Sequence, residues 1–187
     1  IFFARDHTCW DFDKYAGLSF ASVFQKNEIE VELETVMEIY SPINDNYWKL
    51  YRENNVRKAD LSYGRLKETF DGLNITVTDT PIEQMSIYYI EHLPHHNHLL
   101  EGTVEMLEYL QPLYKLHIIT NGFKEVQYRK MESSGILKYF TTVTTSEDVG
   151  VKKPNKLIFE AALGKASAKI AESIMIGDNF EADILGA

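Results

Sequence analysis

Apolar and polar positions change rhythm twice along the 187 residues of this chain. Ile1 to Ala4 is a short apolar run and reads as a buried strand. Thr8 to Asp13 reads as a loop. From Lys14 to Leu93 the spacing is helical throughout. Phe20, Val23 and Phe24 share one face, and so do Tyr63, Leu66, Phe70 and Leu73. Pro42 interrupts this stretch just after Tyr40-Ser41. A proline inside a helix removes a backbone donor and clashes with the preceding turn, so two helices are expected there rather than one. Thr80-Pro81-Ile82-Glu83 predicts a helix start, with a cap residue, a proline in the first turn and a Glu three positions after the Thr. The helix that follows carries Ile82, Met85, Tyr89 and Leu93 on one stripe.

After Pro94 the pattern alternates. Thr103 to Leu110 is helical and stopped by Pro112. Leu116-His117-Ile118-Ile119 is a short apolar strand ending at Thr120-Asn121-Gly122. Lys124 to Ser133 is a helix ended by Gly135, and Thr141 to Thr145 is β-prone. Asn155 to Leu163 is helical after Lys153-Pro154. Ile174-Met175-Ile176 is a strand ending at Gly177-Asp178, and a helix follows from Glu181. Strands alternating with helices predict a parallel sheet covered on both faces. The long helical stretch belongs to no such alternation. The expected fold is therefore α/β, a Rossmann-like parallel sheet core (1–13 plus 95–187) with an inserted α-helical cap (14–94).

Composition bounds the function. Hydrophobic residues make up 44% of the chain, enough for a core, and no apolar run is long enough to span a bilayer. Ile1-Phe2-Phe3 meets charge at Arg5 and Asp6, so no signal peptide is visible. The single cysteine, Cys9, excludes an intrachain disulfide and fits a reducing cytoplasm, the expected location. It reads as a small buried hydrophobe rather than a reactive thiol. A net charge of -9 argues against a nucleic-acid polymer as partner. A small anion stays open if a metal, a lysine and backbone N–H groups make one pocket locally positive. The chain opens inside a strand without an initiator Met and stops at Leu185-Gly186-Ala187 inside a helix, so a longer protein is expected.

In open α/β sheets, ligands bind beyond the carboxyl ends of the strands. Four such places carry polar residues here: Ala4-Arg5-Asp6-His7-Thr8, Thr120-Asn121-Gly122, Lys152-Lys153-Pro154, and Gly177-Asp178 followed by Asp183. This order resembles the four motifs of the haloacid dehalogenase superfamily: Asp-x-Asp-x-Thr, then Ser/Thr, then Lys, then Gly-Asp-x-x-x-x-Asp. The helical insertion resembles that family's small α-helical cap. Trp10-Asp11-Phe12-Asp13, Ile118-Ile119-Thr120-Asn121-Gly122-Phe123 and Gly150-Val151-Lys152-Lys153-Pro154 are similar to its pyrimidine 5'-nucleotidase branch.

The resemblance implies Mg²⁺-dependent hydrolysis of a small phosphorylated metabolite, with a nucleotide as candidate substrate. In the family the first motif aspartate attacks phosphorus and forms an aspartyl-phosphate. The second protonates the leaving alcohol and later activates water. Asp6 matches that second position, and its presence favours phosphate chemistry, since the superfamily's dehalogenases lack this acid. Mg²⁺ takes oxygen ligands and only one or two carboxylates. The implied metal residues are Asp178, the backbone carbonyl of Asp6 and the nucleophile, with Asp183 orienting water or Lys153. Thr120 and the Asn121 N–H would hold phosphate oxygens, and Lys153 would neutralise phosphoryl charge.

The chain departs from the pattern at the nucleophile position, which is Ala4. A methyl group cannot attack phosphorus, and Asp11 and Asp13 lie several residues on. Losing the nucleophile of a concerted site costs on the order of 10⁴ to 10⁶ in rate. It also removes a metal ligand. The alanine is either a substitution that stops turnover or the mark of a natural non-catalytic relative. The expected function is thus a phosphatase disabled at position 4. The alternatives are a non-catalytic module that binds a phosphate ligand, or a sugar phosphatase or phosphomutase of the same fold. Arg5 and Cys9 stand where the family has apolar residues, and nothing in the sequence accounts for Arg5.

Other signals read more plainly. His95, His96 and His98 suggest metal spacing but read as a solvated loop. The helical stretch is rich in aromatics, including Tyr40, Tyr47, Trp48, Tyr51, Tyr63 and Phe70, and at helical spacing these are core. Trp10 and Phe12, just after the first motif, are better candidates to stack on a nucleobase. His7 lies beside Asp6, where it either lines the site or sets its spacing.

Overall fold

Residues 2–3 pair in parallel with two strands at once, Phe2 with His117 and Met175, Phe3 with Ile118 and Ile176. The computed structural model, which describes residues 1–4, 6–95 and 98–187, builds its sheet around this short strand. The strands are β1 (Phe2–Phe3), β2 (Leu116–Thr120), β3 (Phe140–Thr145) and β4 (Met175–Ile176), all parallel, in the order β3-β2-β1-β4. β2 is buried along its whole length, which is why its sequence reads as an apolar run rather than an alternation.

The chain divides into two compact units, Ile1–Phe12 with Asn97–Ala187, and Asp13–His96. Helices α1 (Phe12–Lys26), α2 (Leu33–Arg52), α3 (Lys58–Gly72) and α4 (Asp79–His92) precede the second strand. α5 (Thr103–Leu110), α6 (Lys124–Ser133), α7 (Ser146–Val149) and α8 (Lys156–Ala166) alternate with the later strands, and a π-helical turn spans Phe180–Ile184.

In the α/β unit one apolar cluster joins Phe2 and Ile119 of the sheet to Ile158, Phe159, Ala162 and Ala166 of α8. His117 lies on that same face. Its ring stacks on Phe2 at 4.8 Å and its Nδ1 lies 2.8 Å from the Thr142 hydroxyl. The imidazole is 2% exposed, and burial pushes its pKa down to about 4.

In the helical unit Phe20, Val23, Phe24, Tyr40, Phe70 and Tyr89 are buried, and Phe20 packs edge-on against Tyr40 at 4.6 Å. Arg65 is buried among them and donates to Tyr40 Oη (3.3 Å) and Asn44 Oδ1 (3.0 Å). The Ile82, Met85, Tyr89, Leu93 stripe is buried as expected.

Two expectations fail here. α2 runs straight through Pro42, and the chain instead breaks between Lys26 and Leu33. An interior proline costs about 3 kcal/mol. Burial of Val36, Tyr40, Asn44 and Tyr51 along one α2 face outweighs that cost. α4 begins at Asp79 rather than at Thr80, with Thr78 as its cap and no side-chain cap bond. Asp79 instead accepts the Tyr63 hydroxyl at 2.6 Å, which fixes the helix start from a neighbouring helix.

Candidate active site

The strand order brings the carboxyl ends of β1, β2 and β4 to one edge, and the loops leaving them carry the candidate residues. Ala4 closes β1. It is 3% exposed, and its N–H donates to Ile176 O at 2.7 Å, which extends the pairing of β1 with β4 by one residue. The chain then makes a tight loop. His7 takes a positive φ of 56° and its N–H donates to Trp10 O at 2.9 Å. Cys9 is buried, and its carbonyl accepts the Leu100 N–H (3.0 Å) and the Thr103 hydroxyl (3.2 Å). Asp11 N–H reaches His98 O at 3.0 Å. A loop pinned at so many backbone points presents Asp6 in a defined direction. Arg5 and His96 lie outside the described residues, so the expectations attached to them meet no structural observation.

Asp6 is half-buried. Its Oδ1 accepts from Lys130 Nζ at 3.1 Å, and the Lys130 side chain is fully buried. Sequence reasoning passed over Lys130 because α6 was read only as a helix. The signal was present: Lys130 falls one turn after Val126, on the face that Val126, Gln127 and Met131 turn inward.

Thr120 ends β2, buried, its hydroxyl accepting the Gly122 N–H at 3.0 Å. The Asn121 side chain clasps the backbone of Lys153, with Nδ2 donating to Lys153 O (3.0 Å) and Oδ1 accepting Lys153 N–H (2.8 Å). Lys153, followed by a cis peptide bond to Pro154, extends a buried side chain to an ion pair with Asp183. The other Asp183 oxygen accepts the Asn179 N–H at 3.1 Å. Gly177 makes room for this arrangement: a Cβ there would stand 2.4 Å from Asp183 Oδ2. Asp178 is exposed to solvent, although the protein around its carboxyl strips part of its hydration. That desolvation pushes its carboxyl above the usual range, and the nearby Asp183 charge acts in the same direction. The Thr8 hydroxyl, given no role from sequence, donates to Asp178 Oδ1 at 3.3 Å.

By the resemblance, Asp178 would reach a metal through its carboxylate and Asp6 through its backbone carbonyl, with Asp183 behind Lys153. Among the described residues no group of three His, Cys, Asp or Glu side chains could hold a metal ion. The Asp6 side chain pairs with Lys130, and Asp183 pairs with Lys153 and accepts the Asn179 N–H. Asp178 has the chemistry of a cation ligand, a solvent-reachable carboxylate whose charge is disfavoured by partial desolvation and which a divalent ion would stabilise. Mg²⁺ asks for no more than one or two carboxylates.

Trp10 is corrected as a stacking candidate. It is 0% exposed, bridged to Leu99, with Lys130 Nζ 6.0 Å from its ring centroid, so a nucleobase has no access to it. Phe12 is buried as well, its ring 5.2 Å from that of His7. Among the described residues no helix is long and apolar enough to cross a membrane.

The family model of haloacid dehalogenase-like hydrolases matches residues 3–187. The chain is 32% identical, over its full length and 80% of the other's, to the pyrimidine 5'-nucleotidase YjjG of Escherichia coli. It is 28% identical to the pyrimidine 5'-nucleotidase PynA of Streptococcus pneumoniae, over all of this chain and 78% of that one. Among solved structures, the HAD-hydrolase YfnB of Bacillus subtilis, described as bound to magnesium, superposes with a TM-score of 0.84. That match covers 99% of this chain and 82% of the other at 25% identity.

Proposed function

The chain belongs to the haloacid dehalogenase-like hydrolases, and on that premise we propose that its site is built to hydrolyse a phosphomonoester, a pyrimidine 5'-nucleotide first among them, but stands disabled by Ala4. The observation that carries this reading is a buried methyl group at the end of β1, on the same sheet edge as a lysine that is clasped and paired. Lys153 is clasped by Asn121 and paired with Asp183, while Ala4 closes β1 beside β4. The likeness to two pyrimidine 5'-nucleotidases over the full chain favours a nucleotide.

In this reading the Thr120 hydroxyl and the Asn121 N–H hold phosphate oxygens. Lys153, its backbone fixed and its side chain drawn into place by Asp183, neutralises charge on the phosphoryl group where a low-dielectric setting makes that interaction strongest. Asp6 gives a proton to the leaving oxygen and later takes one from water. The Asp178 carboxylate and the Asp6 backbone carbonyl would hold Mg²⁺. When bound, the ion neutralises the phosphoryl oxygens. Asp183 acts through Lys153 rather than as a ligand. Without a carboxylate at position 4 no covalent phospho-enzyme forms, and these groups bind and orient an ester they do not cleave.

The test is phosphate release by an Ala4→Asp variant from pyrimidine nucleotides, purine nucleotides and sugar phosphates with Mg²⁺. Turnover that favours pyrimidine nucleotides supports the reading. Preference for a sugar phosphate moves the substrate class, and no turnover on any ester favours a module that only binds phosphate.

A further inference from the structure

α6 carries two polar side chains on its buried face, Gln127 and Lys130, one turn apart. Long charged side chains are almost never fully buried unless they are paired. Lys130 is fully buried, and its ammonium lies 3.1 Å from Asp6 Oδ1. The pair joins α6 to the loop after β1, elements separated by more than a hundred residues of chain.

We infer that Lys130 is a positioning residue for Asp6: it holds the carboxylate of the proton-transferring group at the angle the leaving oxygen requires. The inference rests on the phosphatase reading for what Asp6 does, but not for the pair itself. Three observations support it. The Lys130 side chain is fully buried, on the inward face of α6 that also carries Val126 and Met131, so its reach to Asp6 is set by packing and not by solvent. The loop bearing Asp6 is already fixed by the His7–Trp10, Cys9–Leu100 and Asp11–His98 backbone bonds, which leaves the side-chain torsions as the main freedom still to restrict. The Lys130 ammonium also faces the Trp10 ring, whose negative face favours a cation at that spot. Proton transfer demands a donor within hydrogen-bond reach of its target, so an acid free to rotate loses part of its effect.

The role has a signature that a purely structural lysine lacks. An alkyl ester such as a nucleoside 5'-monophosphate needs its leaving oxygen protonated, whereas p-nitrophenolate leaves without a proton. In an Ala4→Asp background, Lys130→Met is expected to lower kcat/KM on the nucleotide, which reports the steps up to departure of the alcohol, by about 10²-fold. On p-nitrophenyl phosphate kcat/KM stays nearly constant, because its leaving group needs no proton, and Lys130→Arg restores part of the nucleotide kcat/KM. An equal loss on both esters overturns the inference. A second measurement needs no activity and uses the chain with Ala4 in place. Asp6→Asn and Lys130→Met are combined in a double-mutant cycle of thermal unfolding. Asp6→Asn is expected to lower Tm when Lys130 is present and to have little effect in the Lys130→Met chain. Additive shifts overturn the inference. If the cycle shows coupling but Ala4→Asp turns over no ester, the phosphatase reading has failed while Lys130 still holds Asp6.

Discussion

Replacing Asp183 with Asn removes one charge from the most deeply buried ion pair at the site while keeping the shape of the side chain. Two features set the size of the effect. The Lys153 and Asp183 side chains are 6% and 2% exposed, so the solvent screening that reduces surface pairs to less than about 1 kcal/mol does not apply. Asn121 also holds the Lys153 backbone by two hydrogen bonds of 2.8 and 3.0 Å, so the buried side chain starts from a fixed point. The variant therefore leaves an ammonium buried without its counter-charge, a change that costs about 3–5 kcal/mol. With a urea dependence of about 2 kcal/mol per molar, the midpoint of unfolding should fall by roughly 1.5–2.5 M. The assay is urea unfolding of the full chain, compared for the chain with both residues in place, Asp183→Asn, Lys153→Met and the double variant. The double variant is expected to recover most of the loss, since it buries no unpaired charge. A midpoint shift below about 0.5 M for Asp183→Asn would refute the reasoning, because that size belongs to a solvated pair.

Two further outcomes are expected. His117 has a folded pKa of about 4, below its unfolded value of 6.5. Between those values the unfolded chain binds more protons. Stability from this group is therefore complete above pH 6.5 and declines as pH falls toward 4, by at most about 1.4 kcal/mol per pH unit. Thermal unfolding at pH 7 and pH 5 checks it, and His117→Phe, which keeps an aromatic ring against Phe2, should flatten the difference. At Gly122 a Cβ would stand 1.9 Å from Gln127 Nε2 and 2.7 Å from its Cδ. Gly122→Ala is expected to cost about 1–3 kcal/mol by overpacking, and adding Gln127→Ala should return part of it in the same denaturation assay.

What was legible in the sequence depended on how far each signal was local. α5 and α6 end where the sequence places their ends, because Pro112 and Gly135 act within a turn of the helix. The parallel sheet follows from strands alternating with helices, and the strand order then sets the motif-bearing loops along one edge. Pro42 misled because its penalty is local while the packing of Tyr40 and Asn44 against a buried guanidinium is not. Trp10 misled for a similar reason: adjacency to the first motif says nothing about which way a side chain turns, and this one turns inward. The clasp of Lys153 by Asn121 and the approach of Lys130 to Asp6 join residues 32 and 124 positions apart. Spacing along a chain carries no trace of such pairs, so only the folded arrangement reveals them. The raised Asp178 carboxyl is likewise a product of desolvation by the surrounding fold, a quantity the motif does not contain.

The measurement that bears most directly on the central claim is phosphate release from a pyrimidine 5'-monophosphate with Mg²⁺, made side by side on this chain and on Ala4→Asp. The expected result is turnover by Ala4→Asp and a rate lower by about 10⁴-fold or more for the chain with alanine. Comparable turnover by both chains would contradict it, because the ester would then be cleaved without the carboxylate whose absence defines this site.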